Sequence, residues 1–296
     1  MRRLFAVAAV LAVFAGAGFC GASSFAEIIA AEPSVRANGM GNAYTAANDD
    51  VFGAYYNPAQ TVNAAKVGFV FQRGYADDNT GAIALAIPIG AFKFGLSTLY
   101  YNAGSMDLYS ANGFMGSVKA EQDYVGMASL SCKIGGVLSL GVNGKYVREQ
   151  LFESVSASGI TGDVGALLEL PFISLGAAAQ NITGGLDFGN GKENFRRTMR
   201  AGAYEHFGGD ALAVSLALDA VKTDNEDVYK RAGAEVSIIK LLALRGGYEF
   251  GGDTASKSGG ASLGLGVRLG AFALDYALVP NTDLGATQKA GLTINF

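Results

Sequence analysis

The chain has 296 residues, of which 50 % are hydrophobic and only 16 % are charged. Its net charge of −4 provides no basic surface of the kind that nucleic-acid-binding proteins use, so we expect no nucleic-acid partner. After residue 25, no apolar run approaches the roughly 18–20 residues of a transmembrane helix. High hydrophobicity without long apolar runs indicates alternating strands, which is how a membrane β-barrel carries its apolar surface.

The N-terminus has the parts of a secretory signal peptide. Positive charge at positions 2 and 3 precedes an apolar core over residues 4–14, and small residues follow. We predict a signal peptide over residues 1–25, with cleavage between Ala22 and Ala26. Lipidation of Cys20 is the less favoured alternative, because Phe19 stands where lipoprotein processing needs a small residue.

From residue 66 onward, apolar residues alternate with small or polar ones, which is typical of strands with two different faces. Leu140 and Val142 share one face of such a strand, for example, and Gly141 and Asn143 share the other. Most predicted strands are long enough to cross a bilayer when tilted. The fourteen predicted strands cover residues 66–74, 80–89, 91–102, 121–134, 137–150, 157–170, 172–181, 197–207, 211–221, 228–238, 241–250, 259–269, 271–280 and 286–296.

The connections between these strands fall into two classes. Each connection from an even to an odd strand is tight, and several contain Gly or Pro, whereas odd-to-even connections are longer, notably residues 103–120, 182–196 and 251–258. Short turns on one side and longer loops on the other are typical of outer-membrane barrels. We therefore predict an all-β fold, a transmembrane antiparallel up-and-down β-barrel of about 14 strands in the bacterial outer membrane. The alternative, a soluble β-sandwich, has no reason to sort its loop lengths in this way.

If the apolar face meets lipid, the charged residues of the other face must point into the lumen, because a charge that faces lipid near the midplane is costly. Both signs are present, so we interpret these residues first as a structural network and second as a transport path. Leu99, Tyr101 and Leu167 are the larger candidates for an apolar lumen pocket. The predicted lumen charges are Lys93, Lys145, Asp163, Glu169, Arg200, Asp219, Arg245, Glu249, Arg268 and Asp275.

Residues 34–59 precede the first strand and do not alternate. The caps at positions 48–50 predict a short helix through Tyr55, which Pro58 would end. Gly39 and Gly41 permit a tight backbone path. We predict that residues 26–62 form a plug inside a barrel that comprises residues 63–296.

The same segment contains Arg36, Gly39, Met40, Gly41, Ala43, Asp49, Asp50, Ala54, Asn57, Pro58 and Ala59. This run resembles the N-terminal signature of the PorV/PorQ family of outer-membrane barrels, which is related to the FadL-type transporters. The likeness continues in LGVNGKYVRE at 140–149, SASGITGDVGAL at 156–167, LALRGGYEFG at 242–251 and LGLGVRLGAFALDYALVP at 263–280. The resemblance implies a fourteen-stranded barrel with its N-terminal segment tucked inside.

The resemblance also implies two alternative functions. PorV-type members act in type IX secretion, where they bind exported cargo and carry it from the translocon to the attachment complex, whereas FadL-type members admit hydrophobic small molecules. We take the secretion shuttle as the main hypothesis and the channel as the alternative, although outer loops of about 18 and 15 residues are short for a large cargo surface. The residues in these loops that could anchor a partner, or instead dip into the outer leaflet, are Tyr109, Phe114, Met115, Leu186 and Phe188.

The remaining signals are local. The terminal Phe296 resembles the signal that the barrel-assembly machinery recognises at the end of an alternating strand. His206 is the only histidine and has no legible catalytic partners, so we predict no enzyme. The acidic run at residues 224–227 lacks the spacing of an EF-hand loop, and no Cys/His cluster or phosphate loop is present, so we predict no cofactor and no metal. After removal of the signal peptide, Cys132 has no partner for a disulfide and is expected to pack as a small apolar residue.

Overall fold

The structure is a computed structural model that describes residues 27–74, 78–110, 113–189, 191–251, 260–281 and 285–296. The predicted signal peptide and Cys20 lie outside the described residues. No helix in the described ranges has both the length and the apolar character that a bilayer-crossing helix requires.

Fourteen antiparallel strands form a closed barrel, which confirms the predicted fold. Each barrel strand pairs with the next one along the chain, and the last strand pairs with the first, so that Lys66 lies opposite Asn295. The barrel strands are β1 (Lys66–Arg73), β2 (Asn79–Ile89), β3 (Phe92–Asn102), β6 (Glu121–Ile134), β7 (Leu138–Leu151), β8 (Val155–Glu169), β9 (Ser174–Gln180), β12 (Thr198–Gly208), β13 (Leu212–Thr223), β14 (Tyr229–Ile238), β15 (Leu242–Phe250), β16 (Ala261–Leu269), β17 (Phe272–Asn281) and β18 (Gly285–Asn295). These bounds agree with the predicted strands to within two residues.

Two small hairpins occupy the longer loops, where the sequence predicted no strands. The first consists of β4 (Ser105–Ser110) and β5 (Gly113–Lys119), and the second of β10 (Gly185–Asp187) and β11 (Lys192–Asn194). Each hairpin pairs only with itself in the described structure, as a separate two-stranded sheet. Such short segments have little alternation to reveal them, and their formation depends on local turns.

The two faces of the barrel wall follow the predicted alternation. Leu140, Val142 and Tyr146 of β7 are exposed on the outer face, whereas Ser139 and Lys145 are buried on the inner face. The same contrast recurs in the other strands that show clear alternation. The outer face is therefore the apolar surface that a bilayer would cover.

The tight turns have the backbone conformations that their residues permit. Gly90 and Gly270 adopt positive φ, and Ile239 and Lys240 also lie in the left-handed region, with φ of 45° and 56°. Two successive residues of positive φ match the right-handed twist of a hairpin. At the opposite end, β7 and β8 are also joined tightly through Phe152 and Glu153, so that loop is shorter than the predicted asymmetry implies.

Residues 27–62 contain little regular structure. A short helix, α1 (Val35–Gly39), begins after Ser34, whose side chain accepts a hydrogen bond from the Ala37 amide. The predicted helix after residues 48–50 is wrong: only a 3-10 turn, Gly53–Tyr55, forms there. Asp50 Oδ1 accepts a hydrogen bond from the Phe52 amide before this turn, whereas the Asn48 side chain binds Thr61 and Asp49 adopts a φ of 67°.

Candidate functional site

Residues 27–62, called here the inner segment, contact the inward faces of strands on opposite sides of the barrel. The Gly41 amide donates a hydrogen bond of 2.9 Å to Ser262 Oγ on β16. The Asn143 amide on β7, seven strands away around the barrel, donates one of 2.9 Å to the Ala54 carbonyl. The inner segment thus crosses the space that the strands enclose. That it obstructs passage stays a prediction.

A first ion-pair cluster holds α1. Arg36 reaches Glu235 on β14 through two hydrogen bonds, of 2.7 Å from Nη2 and 2.9 Å from Nε. The Glu235 carboxylate also accepts a bond of 2.6 Å from Arg245 Nε on β15. Arg245 Nη1 in turn lies 2.6 Å from Asp275 Oδ1 on β17. This alternation of charge lets a chain of four groups be buried, because each charge has an opposite neighbour with good geometry.

A second ion-pair cluster lies closer to the longer loops. Glu32 Oε1 is 2.7 Å from Arg200 Nη1 on β12 and 2.6 Å from Arg231 Nη1 on β14. Arg231 Nε is also paired with Glu249 at 2.6 Å. Burial by itself would raise the pKa of Glu32, but Arg231 and Arg200 outweigh it, so the pKa is lower than usual. Glu32 therefore remains ionised and joins two strands of the wall.

Neutral groups of the inner segment also form hydrogen bonds with the barrel wall. Asp219 Oδ2 on β13 accepts hydrogen bonds from the backbone amides of Tyr44 and Thr45 and from the Thr45 hydroxyl, at 2.9, 3.0 and 2.6 Å. The Asn57 side chain donates to the carbonyls of Thr45 and Ala166 and accepts from the Ala59 amide. Apart from the Ala166 carbonyl on β8, these bonds satisfy backbone groups of the inner segment that lie outside helices and strands.

Close approach to the backbone of the barrel wall accounts for Gly39 and Gly41. Gly41 has a φ of 62°, a conformation that favours glycine. A Cβ added at Gly247 on β15 would overlap the Gly41 amide nitrogen, and one added at Gly233 on β14 would overlap the Met40 carbonyl. The wall glycines thus form the surface on which residues 39–41 lie.

The other residues of the predicted lumen face point inward in most cases. Lys145 pairs with Asp163 at 2.8 Å, and both are buried. Lys93 is buried, and Glu169 lies 2.5 Å from Lys133 and binds Asn48. Leu99 and Leu167 are fully buried, and Tyr101 is partly buried.

Arg268 lies on the same side of β16 as the buried Ser262 and Gly266, but it is exposed, because it stands near the short-turn end of the barrel. Glu32, Arg231 and Glu235 are not among the predicted lumen charges. The last two could have been found, because they share the inward face of β14 with Gly233.

The candidate partner residues are exposed in the first outer loop and buried or partly buried in the second. Tyr109 is 71 % exposed and Met115 is 70 % exposed, and Phe114 stacks edge-on against Tyr109 with a centroid distance of 5.7 Å. Leu186 is only 2 % exposed, and the partly buried Phe188 packs against the interior cluster. Of these candidate residues, only those of the first loop are therefore exposed, because the β10–β11 hairpin turns Leu186 and Phe188 inward. Contrary to our expectation, Leu186 is not available to a partner.

The lipid-facing wall carries an apolar groove of about 700 Å³ that extends over strands β2 to β8. Outward-facing Gly126 and Gly144 form part of its floor, since a Cβ added at either would meet nothing within 4 Å. Its rim includes Ile83, Leu96, Tyr146 and Ile160. Directly inside the same wall, Ser97 donates a hydrogen bond of 3.0 Å to the Tyr55 hydroxyl of the inner segment.

His206 and Phe296 lie at the short-turn end. His206 Nδ1 is 2.9 Å from Ser215 Oγ, and that hydroxyl also accepts a bond from Tyr204. No carboxylate among the described contacts orients the imidazole, so the arrangement lacks the third member of a catalytic triad. The Phe296 amide donates a bond of 2.9 Å to Ala65, beside the closing pair of strands.

The sequence matches no protein-family model and no curated protein sequence. Solved structures share its fold. The Pseudomonas putida toluene transporter TodX is 12 % identical, with 87 % of this chain and 95 % of that chain covered and a TM-score of 0.57. The CymD monoaromatic hydrocarbon channel is 13 % identical over 89 % of this chain and 97 % of that chain, with a TM-score of 0.64. A Pseudomonas aeruginosa FadL homologue is 13 % identical over 89 % and 98 %, with a TM-score of 0.51. TodX is described as a transporter and CymD as a channel, and the chain has the fold of FadL-type outer-membrane barrels.

Proposed function

We propose that this protein is a channel of the bacterial outer membrane for hydrophobic small molecules, in which the inner segment controls passage. The observation that carries the proposal is the inner segment itself, which is joined by ion pairs to β12 and β14 inside a barrel of FadL type. Among the structural neighbours, TodX is described as a toluene transporter and CymD as a monoaromatic hydrocarbon channel. The proposal transfers that substrate class, and no individual compound, to this chain.

The distribution of apolar groups supports a hydrophobic solute. Between the inner segment and the wall lies an apolar cluster that includes Tyr44, Tyr56, Leu99, Val125 and Val147. The groove on the outer face lies over the same sector, β2 to β8. Apolar surface on both sides of one part of the wall suits a solute that partitions into the bilayer better than an ion, for which a polar pore would be expected.

Uptake of radiolabelled toluene by cells that carry the barrel tests this function. We expect uptake faster than in cells with the empty vector, and no change in the uptake of a polar sugar of similar size. A variant with Leu99→Asp and Val147→Asp places charge in the apolar cluster and should lose the toluene effect. The matched control is Ser139→Asp, on the inner face near the short-turn end. Uptake equal to the empty vector for toluene and for a longer alkane would refute the proposal.

A secretion role is the second candidate, and a separate observation favours it. The β4–β5 hairpin exposes Tyr109, Phe114 and Met115 together. Exposed aromatic clusters are typical anchors of protein interfaces. In this alternative, the barrel binds secreted cargo or translocon proteins at the hairpin, as the PorV/PorQ resemblance implies.

Crosslinked co-purification from native outer membranes separates the two candidates. Recovery of secreted proteins that share a C-terminal domain, with loss of that recovery in a Tyr109→Ser/Phe114→Ser/Met115→Ser variant, would support the secretion role. Recovery of the barrel alone, or with bound lipid or hydrocarbon, would contradict it. In either case we propose assembly through the barrel-assembly machinery, with Phe296 as the recognised residue.

A further inference from the structure

Three carboxylates meet at the loop end of β6 and β7. Glu121 and Asp123 lie two residues apart on β6, and Asp123 is directly opposite Glu149 on β7. One carboxylate oxygen from each residue lies within 4.8 Å of the other two. Asp123 is 1 % exposed and Glu149 is 2 % exposed, so water does not screen them fully. Like charges placed directly opposite each other on neighbouring strands destabilise a sheet.

Two of these carboxylates have an oxygen without a partner. Asp123 Oδ1 and Glu149 Oε2 are both buried and accept no hydrogen bond from any described residue. Other buried acids of the inner face are compensated: Asp163 has Lys145, and Glu235 has Arg36 and Arg245. Burial of an uncompensated carboxylate is costly. The pair therefore lacks the positive charge that the rest of the interior supplies.

The second hairpin brings a fourth acid toward the cluster. Glu193 on β11 interacts electrostatically with Glu149, and its Oε2 has no hydrogen-bond partner among the residues that the structure describes. The hairpin is packed onto the barrel, since Phe195 is buried and the Gly185 carbonyl lies against Gly159 of β8. A cation among these acids would be shared by two wall strands and by a loop.

We propose that Glu121, Asp123 and Glu149 bind a Ca²⁺ ion at the outer mouth of the barrel, with Glu193 as a further ligand from the β10–β11 hairpin. The ligand set consists only of carboxylate oxygens, which hard cations prefer, and contains no histidine or cysteine for a transition metal. Three or four carboxylates can provide the six to eight oxygens that Ca²⁺ takes in flexible geometry. The bound ion ties the hairpin to the wall.

Calcium titration of the purified, folded barrel in detergent, after removal of divalent ions with a chelator, tests the site. We expect binding with a dissociation constant of about 10⁻⁴ M, in the range of extracellular calcium modules. Terbium can replace Ca²⁺ as a luminescent probe, because Tyr101 is paired with Asp123 and can sensitise it. Asp123→Asn and Glu149→Gln should each weaken binding at least tenfold. The matched control is Glu153→Gln, an exposed acid in the neighbouring β7–β8 turn, which should bind like the wild type.

The alternative is that the carboxyls are simply protonated, and the same samples distinguish it. Folding of each variant is verified first by its heat-modifiable migration. If calcium raises the unfolding temperature of the wild type and of E153Q but not of D123N or E149Q, the site is supported. Wild-type protein that binds no more calcium or terbium than the D123N/E149Q double variant overturns the proposal, whatever the transport activity of the barrel.

Discussion

Single inward-facing residues decide how the inner segment is held. Glu235 accepts hydrogen bonds from Arg36 of the segment and from Arg245 of the wall, so one carboxylate joins two elements. A buried ion pair gives little net stability compared with apolar packing, but removal of one partner leaves an uncompensated charge. We interpret these pairs as a means of selecting one position of the segment among many.

Glycine at position 247 is the residue whose size matters most directly. A Cβ added there would overlap the Gly41 amide, whereas one added at the adjacent, outward-facing Gly246 would meet nothing within 4 Å. We therefore expect Gly247→Ala to lower the free energy of unfolding by about 1–3 kcal/mol, as overpacking does. Gly246→Ala is the control and should change it by less than about 0.5 kcal/mol. Urea unfolding in lipid vesicles measures both, and equal effects would contradict the close approach.

The lowered pKa of Glu32 predicts a pH dependence. Because the folded-state pKa lies below the ordinary glutamate value of 4.5, the ion pairs of Glu32 contribute stability above pH 4.5, and this contribution is lost as the pH falls through the folded-state pKa. In Glu32→Gln this acid-labile contribution should be absent, so the variant should be less stable at neutral pH and should lose less stability on acidification. The measurement is unfolding of both proteins across a pH series. Parallel curves would show that Glu32 is not the group responsible.

At the scale of elements, β14 shows how one strand serves several purposes. Its inward residues are Arg231, Gly233 and Glu235. Glu235 belongs to the first ion-pair cluster and Arg231 to the second, and Gly233 leaves a gap between them. Met40 of the inner segment fits that gap, because a Cβ at Gly233 would overlap it. The strand alternation therefore provides both the anchors and the space for the segment.

Deletion of residues 27–62 tests the inner segment as an element. We expect the barrel to conduct ions far better in planar bilayers, because the segment that crosses the enclosed space would be gone. We also expect lower stability, since Glu235, Arg200 and Asp219 would lose their segment partners. The control replaces the β4–β5 hairpin by a short Gly-Ser linker and should leave conductance unchanged. If the deletion conducts no better than the full mature chain, the segment does not obstruct the barrel.

For the whole molecule, the arrangement of turns predicts an orientation in the outer membrane. Six tight turns, the first residue of β1 and the last residue of β18 lie at one end of the barrel, and the hairpin loops lie at the other. In a Cys132→Ser background, we expect Met115→Cys to react with an impermeant maleimide on intact cells. Gly209→Cys, in a tight turn where a Cβ meets nothing within 4 Å, should react only after the outer membrane is permeabilised. The reverse pattern would invert the orientation.

Most of the barrel could be predicted because its signals are local. Alternation reveals each strand and its outward face, and turn residues such as Gly270 mark where the strands end. The hairpins were missed because six or fewer paired residues per strand, outside the barrel, leave almost no periodic pattern. The calcium-binding candidates were missed for a different reason, since Glu121 and Asp123 lie within a predicted strand but their proximity to Glu149 depends on register.

The sequence by itself determined the strands, their two faces and the side on which the turns are short, because these features depend on residues a few positions apart. The tertiary structure alone decided the path of the inner segment and the partner of each buried charge. Arg36 and Glu235 are separated by 199 positions, and they meet only because the barrel closes around the segment. Many inward charges of either sign could have been paired otherwise, and only the closed geometry brings particular atoms within hydrogen-bonding distance.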